Sequence, residues 1–273
     1  MEFDLTVSIV LYNANVQLLE MAIKSVYKTQ LNVKLYLVDN SPSDVLRTQF
    51  PGGRYEYIFS GKNLGFGKAH NTILSKSLEK AKYHLVLNPD VHFDGNVLDE
   101  LFEYMEKNQE VGLITPKILY PDGNTQYLCK LLPTPADLFG RRFLGNTKWM
   151  QRRNEVYEMR PSGYNTVMNV PYLSGCFMFL RTSVLKELGL FDERIFMYIE
   201  DADLTRRIHK KYKTLFYPYV HIFHHYAKGS YKNTKLMLYN IHGASVYFSK
   251  WGWFFDKERR RINQHVINQY LSK

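Results

Sequence analysis

Four short runs rich in apolar and β-branched residues recur in the first ninety positions: TVSIVLY (6–12), VKLYLV (33–38), YEYIF (55–59) and YHLVL (83–87). Stretches with helical spacing separate them. Residues 16–28 place Leu18, Leu19, Ala22, Ile23 and Val26 on one side, behind an Asn13-Ala14-Asn15 turn that can cap the helix. Residues 68–80 read as a second helix, and residues 96–108 as a third with Val97, Leu98, Leu101, Phe102 and Met105 inward. Strands alternating with helices imply βαβ units, because parallel neighbours need a long crossover. The expected class is therefore α/β, a mainly parallel sheet flanked by helices. Such sheets bind ligands beyond the carboxyl ends of their strands. Asp39 and Asp90 both fall at such ends, so one crevice is expected to hold both.

After Pro121-Asp122-Gly123 the regularity weakens. Residues 131–164 carry prolines, aromatics and the cluster Arg141, Arg142, Lys148, Arg152 and Arg153, and read as a mobile excursion over the site. Pattern returns as a strand over 172–180 containing Gly175, then a short helix capped by Thr182 and ending near Leu188-Gly189. A helix over 201–211 opened by Glu200-Asp201 and a strand over 213–217 follow. From Thr234 the chain is helical, aromatic and basic. The expected organisation is one domain over 1–233, divided at 125 into a nucleotide-binding and an acceptor half, with a C-terminal extension over 234–273.

Composition narrows the function classes. Of 273 residues 45% are hydrophobic, enough for a sizeable core and too many for disorder. Two cysteines, Cys129 and Cys176, give no disulfide framework, which fits a reducing compartment. The N-terminus has acidic residues early and no basic signal-peptide region, and no apolar stretch reaches the roughly 18 residues of a membrane span. A cytoplasmic location is expected. A formal net charge of +10 favours an anionic partner. Nucleic acid is disfavoured: the Lys and Arg residues are spread along the chain and match no binding motif.

Several constellations can carry chemistry, each with a plainer alternative. Asp39 either caps a turn with Ser41 and Pro42 or accepts hydrogen bonds from a nucleoside. NLGFGKAHN (63–71) has a G-x-G that lacks a third glycine and follows the third strand, so it is a weak dinucleotide fingerprint. As a loop entering a helix N-terminus it still suits a phosphate or nucleoside. Asn88 and Asp90 form a Pro-Asp turn or turn two oxygen-bearing side chains toward Mg²⁺ or Mn²⁺. In FDERIFMYIEDADLTRR (191–207), Asp192, Glu193, Glu200, Asp201 and Asp203 can cap a helix. Alternatively Glu200 or Asp201, partly desolvated behind FMYI, serves as a general base. Arg206 and Arg207 can pair with these acids or with phosphate. His221, His224 and His225 suit metal or a structural role, and their spacing matches no H-E-x-x-H protease.

Taken in order, SIVLYN, LVDNSP, NLGFGKAHN, LNPDV, LSGCFMFLR, FDERIFMYIEDADLTRR and PYVHIFHH with Gly229-Ser230 after it resemble glycosyltransferase family 2, the inverting enzymes with a GT-A fold. The likeness is greatest to bacterial rhamnosyltransferases of surface-polysaccharide assembly and covers about residues 5 to 230. The resemblance implies a nucleotide-diphosphate sugar donor bound by Tyr12, Asn13, Asp39, Asn63, Gly65, Gly67, Asn71, Asn88, Asp90 and Arg207. It implies a divalent metal, Mg²⁺ or Mn²⁺, at Asp90 and His224, with Asn88 standing where the usual D-x-D has its first carboxylate. Asp201 corresponds to the catalytic base, with Glu200 as the other possibility. The implied donor is dTDP-L-rhamnose. UDP-galactofuranose, UDP-galactose, UDP-glucose and UDP-N-acetylglucosamine stay open. The implied acceptor is a glycan on a polyprenyl diphosphate lipid. The aromatic and basic tail then suits peripheral attachment to an anionic membrane, or else packs on the core with a solvated basic face. A nucleotidyltransferase would show an early glycine-rich loop with Arg and Lys, which SIVLYNANVQ lacks. A non-catalytic nucleotide-sugar binder is disfavoured by the intact Glu200-Asp201, Asp90 and His224.

Overall fold

Strand β1 (Phe3–Leu11) occupies the middle of a mixed sheet, and its alternation shows why. Leu5, Val7, Ile9 and Leu11 point to one face and join the largest apolar cluster. Thr6 and Ser8 point to the other and bond to buried histidines. The computed structural model describes residues 1–50, 53–140, 147–226 and 234–271. Parallel pairing joins β1 to β2 (Val33–Asp39) and β4 (Ala81–Leu87), and β2 to β3 (Tyr55–Phe59). Beyond β4 lie β10 (Phe177–Arg181), β6 (Val111–Leu119), β11 (Lys213–His224) and the short β5 (Val91–His92), giving the order 3-2-1-4-10-6-11-5. The short β8 (Met168–Asn169) pairs with β11. Within the row from β3 to β11 only β10 runs against its neighbours, while β5 and β8 run against β11. The small β7 (Cys129–Lys130) and β9 (Tyr172–Leu173) form a separate pair.

Helices cover both faces. On one, α1 (Val16–Val26) and α4 (Val97–Lys107) bury Leu19, Ala22, Val26, Leu98, Leu101 and Met105. A short α2 (Leu46–Gln49) lies between β2 and β3. The opposite face carries α3 (Gly67–Ser77), α6 (Thr182–Leu188) and α7 (Glu200–His209), with Leu74, Val184, Leu185, Leu204 and Ile208 inward. The span expected to be irregular holds α5 (Lys148–Tyr157) between a π-helical turn (Ala136–Gly140) and a 3₁₀ turn (Arg160–Ser162). Arg141 and Arg142 lie outside the described residues, as do Gly229 and Ser230.

Three expectations need correction. The strand expected over 172–180 is two, broken at Ser174-Gly175-Cys176, because that turn aims a backbone N–H at Asp201. Thr182 does not cap α6; its hydroxyl donates to the carbonyls of Ala81 and Lys82 and ties α6 to β4. The last strand runs well past Tyr217, to His224. It absorbs Pro218 through a register shift between Tyr217 and His221.

The C-terminal helices α8 (Thr234–Trp251) and α9 (Lys257–Tyr270) pack on the core, not away from it. Buried Arg206 of α7 donates to Asp256 at 2.8 and 3.0 Å and lies over the Trp251 ring. Asn263 pairs with both the N–H and the carbonyl of Leu132. The Tyr270 hydroxyl accepts from the Asn169 N–H.

Candidate active site

The carboxylate pair at the start of α7 is reached through strained backbone. Tyr198 and Ile199, immediately before Glu200, both have positive φ (69° and 73°). For a β-branched residue such as Ile199 this conformation is costly and persists only where the surroundings impose it. Two contacts impose it here. On one side, Gly65 (φ +81°) lies where a Cβ would stand 2.2 Å from the Phe196 carbonyl, and Phe66 N–H donates to that carbonyl at 3.0 Å. On the other side, α8 crosses so close that a Cβ on Gly243 would meet the Tyr198 carbonyl at 2.7 Å.

Held this way, Asp201 receives the Gly175 N–H on one carboxylate oxygen and the Ala202 N–H on the other, both at 2.9 Å. The Tyr172 hydroxyl also bonds to it. Burial pushes the Asp201 carboxyl up. The positive charge of Lys130, the two N–H groups and the Tyr172 hydroxyl oppose that rise by favouring the anion. Glu200 is different. It is buried, its Oε2 has no hydrogen-bond partner, and burial with the charge of Asp201 raises it well above the usual carboxylate range. Burial thus raises both carboxyls, and the donors around Asp201 make it the member of the pair better able to carry negative charge.

The turn after β4 lines the same cavity and is tied to the next residue of the Gly175 turn, Asn88 N–H donating to the Cys176 carbonyl. Asn88-Pro89-Asp90 is a turn, as the plainer reading had it, with Val91 N–H donating to the Asn88 carbonyl. It also presents both side chains to the cavity. The Asp90 carboxylate lies 3.5 Å from His224 Nε2. Gln126 fixes the histidine: its amide N–H₂ donates to the carbonyls of His224 and Leu119, so its Oε1 accepts from Nδ1–H at 3.0 Å. Nε2 then faces Asp90. Burial opposes charge on this ring, but Cys176 and Asp90 outweigh it and raise its pKa to about 10 without a metal. An oxygen donor beside an imidazole nitrogen whose other nitrogen is anchored is what a divalent cation needs. The set fits a metal that takes its remaining ligands from water or phosphate. Among the described residues no group of three or more His, Cys, Asp or Glu could hold an ion unaided. His221 and His225 do not line the cavity. His225 meets His92 at 3.3 Å.

The cavity holding both centres measures about 1110 Å³. Tyr120, Tyr127, Tyr157, Tyr172 and Tyr226 line it, as do Lys130 and Arg160. Met237, Asn240 and Ile241 of α8 close one side. The sequence gives Lys130, Tyr172, Gly175, Gln126 and these α8 residues no role in the site. Only the Gly175 turn carried a local signal, a glycine inside a strand pattern.

The remaining candidates sit elsewhere. Asp39 is buried, does not line this cavity, and spends its oxygens on Ser41 N–H (2.8 Å) and the Tyr57 hydroxyl (2.5 Å). Asn13 (φ 48°) donates its N–H to Ser41, and Tyr12 beside it is 52% exposed. Asn63 accepts from Gly65 N–H. Asn71 clasps Phe191 through both its N–H and its carbonyl. A Cβ on Gly67 would stand 2.8 Å from Phe191. Arg207 is committed to Asp203 and to the carbonyls of Leu188, Gly189 and Leu190. The NLGFGKAHN loop thus holds the segment that leads to Glu200.

Comparison with known proteins accords with this geometry. Residues 6–189 match the model of glycosyl transferase family 2. The chain is 28% identical over 242 residues to an N-acetylglucosaminyl-diphospho-decaprenol L-rhamnosyltransferase of Mycobacterium tuberculosis, covering 81% of this chain and 75% of that one. It is 28% identical over 184 residues to the rhamnosyltransferase WbbL of Escherichia coli, covering 64% and 66%. To the low-salt glycan biosynthesis hexosyltransferase Agl10 of Haloferax volcanii it is 28% identical over 212 residues, covering 76% and 62%. In structure it resembles GalNAc-T7, crystallised with UDP, GalNAc and Mn²⁺, with a TM-score of 0.65 at 15% identity. That match covers 99% of this chain and 55% of the other. With the sheet order and the family match together, the fold is GT-A, and the chain belongs to glycosyl transferase family 2 as a glycosyltransferase.

Proposed function

We propose that the protein is an inverting rhamnosyltransferase that moves L-rhamnose from dTDP-L-rhamnose to a hydroxyl of a lipid-linked glycan in surface-polysaccharide assembly. The observation that carries the reading is the pairing, within one cavity, of Asp201, which accepts two backbone N–H groups, with the Asp90–His224 centre. A base and a leaving-group site in one cavity suit a single displacement at an anomeric carbon. The two relatives named as rhamnosyltransferases support the sugar, and the decaprenol-linked one supports the acceptor.

In this reading Asp201 takes the proton from the acceptor hydroxyl as its oxygen attacks the anomeric carbon. The carbon–oxygen bond to the diphosphate breaks on the far side, and the configuration inverts. The N–H groups of Gly175 and Ala202 and the Tyr172 hydroxyl keep Asp201 oriented and anionic. Glu200, holding its proton, keeps a second charge out of the site. Asp90 and His224, with Asn88 beside them, would hold Mg²⁺ or Mn²⁺, which supplies positive charge for the diphosphate leaving group. Tyr12 and Asn13 would meet the nucleoside at the carboxyl end of β1, with Asp39 holding the Ser41 turn that accepts the Asn13 N–H.

Nucleotide release from dTDP-rhamnose and the UDP-sugars, with Mg²⁺, Mn²⁺ or EDTA and a lipid-linked acceptor extract, tests the donor. Acceptor-dependent release from dTDP-rhamnose alone is expected. Release of UDP instead would replace the sugar and leave the chemistry in place.

A further inference from the structure

The turn between α8 and α9 presents aromatic side chains to solvent on a backbone held by a buried arginine. Trp253, Phe254 and Phe255 are 37%, 66% and 91% exposed. Buried Arg259 donates to the carbonyls of Gly252 (3.2 Å) and Trp253 (3.0 Å). Asp256 caps α9 through Arg259 N–H and is itself gripped by Arg206. The Trp253 ring rests on Phe248 at 5.1 Å. Phe254 and Phe255 thus project from a fixed scaffold. Singly exposed apolar residues are ordinary on a surface, but three in succession on a locked turn mark a contact surface.

The charge beside the turn selects the partner. Lys257, Arg260 and Arg261 are exposed and share one face of α9 by their i, i+3, i+4 spacing. None has an ion pair among the described residues. The neighbouring acids are spent, Asp256 on Arg206 and Glu258 on Arg206 and Lys210. Aromatic side chains that can enter an acyl boundary, next to unneutralised cations, suit an anionic lipid headgroup layer. The position suits it too. Ile241 in the cavity wall and Trp251 before the turn lie ten residues apart on α8, roughly 15 Å at the helical rise.

We infer that the Trp253–Phe255 turn and the Lys257, Arg260 and Arg261 face dock the enzyme on an anionic membrane surface, with α8 leading from that surface to the cavity. The inference deepens the reading of a lipid-linked acceptor and rests on it, but its test needs neither donor nor acceptor. The full chain is floated with vesicles of equimolar phosphatidylglycerol and phosphatidylcholine, and with phosphatidylcholine alone. Wild type is expected to float with the anionic vesicles and much less with the neutral ones. Phe254→Ser with Phe255→Ser should lower the bound fraction about tenfold or more with unchanged thermal stability, because these side chains support nothing in the fold. Arg260→Glu with Arg261→Glu should do the same and remove the preference for anionic lipid. Failure of wild type to float, or flotation of the phenylalanine variant like wild type, would overturn the docking surface and leave the transferase reading standing.

Discussion

Asp201 and Glu200 are neighbours with opposite assignments, and the difference lies in what touches each oxygen. Asp201 has N–H donors on both oxygens; Glu200 has a buried oxygen with none. Asp201→Asn is expected to lower turnover by about 10²- to 10⁴-fold while nucleotide still binds, and Glu200→Gln to stay within about tenfold of wild type. Steady-state kinetics with nucleotide-binding calorimetry would check this; the reverse order of effects would exchange the two roles. Gln126→Leu removes the group that orients His224 and should weaken Mn²⁺ binding about 10- to 100-fold, read by titration calorimetry. The sequence showed that a carboxylate pair follows FMYI. It could not show which member the N–H and hydroxyl donors surround, because Gly175, Tyr172 and Lys130 reach Asp201 from far along the chain.

At the scale of elements, the parallel strands and their crossover helices were legible because periods of two and 3.6 are local properties. What escaped were β6, which contains Pro116, the continuation of β11 past Pro218, and the antiparallel insertion of β10, which only pairing partners decide. The polar side of β1 also escaped. Ser8 lies 2.7 Å from His70 Nδ1 and from His84 Nε2, all fully buried between β1, α3 and β4. Burial lowers His84 to about 3 and His70 well below its ordinary value; burial and nearby His265 lower His209 to about 4. The unfolded chain therefore takes up these protons first, near pH 6.5. Their contribution is fully present above that pH and is lost as pH falls toward the folded values, at about 1.4 kcal/mol per pH unit for each group. The coupled Glu200 and Asp201 work the other way, because their folded pKa values are raised. Urea unfolding should show stability rising from pH 5 to 6.5, with a steeper rise in Glu200→Gln. A flat profile in both proteins would mean that the histidines are not held neutral.

For the whole molecule, the fold makes the C-terminal helices part of the active site. α8 braces the strained turn before Glu200 through Gly243, and α7 is pinned to α9 by the buried Arg206–Asp256 pair. The sequence offered their packing on the core as one of two readings and could not choose it, because Arg206 reads as one more cation in a charged helix, fifty residues from its partner. Breaking that pair with Arg206→Met leaves a buried carboxylate and should cost about 3–5 kcal/mol, seen as a lower urea midpoint. The GT-A fold and the family follow from the whole pattern together, whereas the sugar depends on how the cavity meets donor and acceptor. The most direct test of the central claim is acceptor-dependent nucleotide release by wild type and Asp201→Asn side by side, with dTDP-rhamnose and a lipid-linked acceptor. The account predicts dTDP release by wild type and near-complete loss in a variant that still binds dTDP. Equal release by both proteins would contradict it.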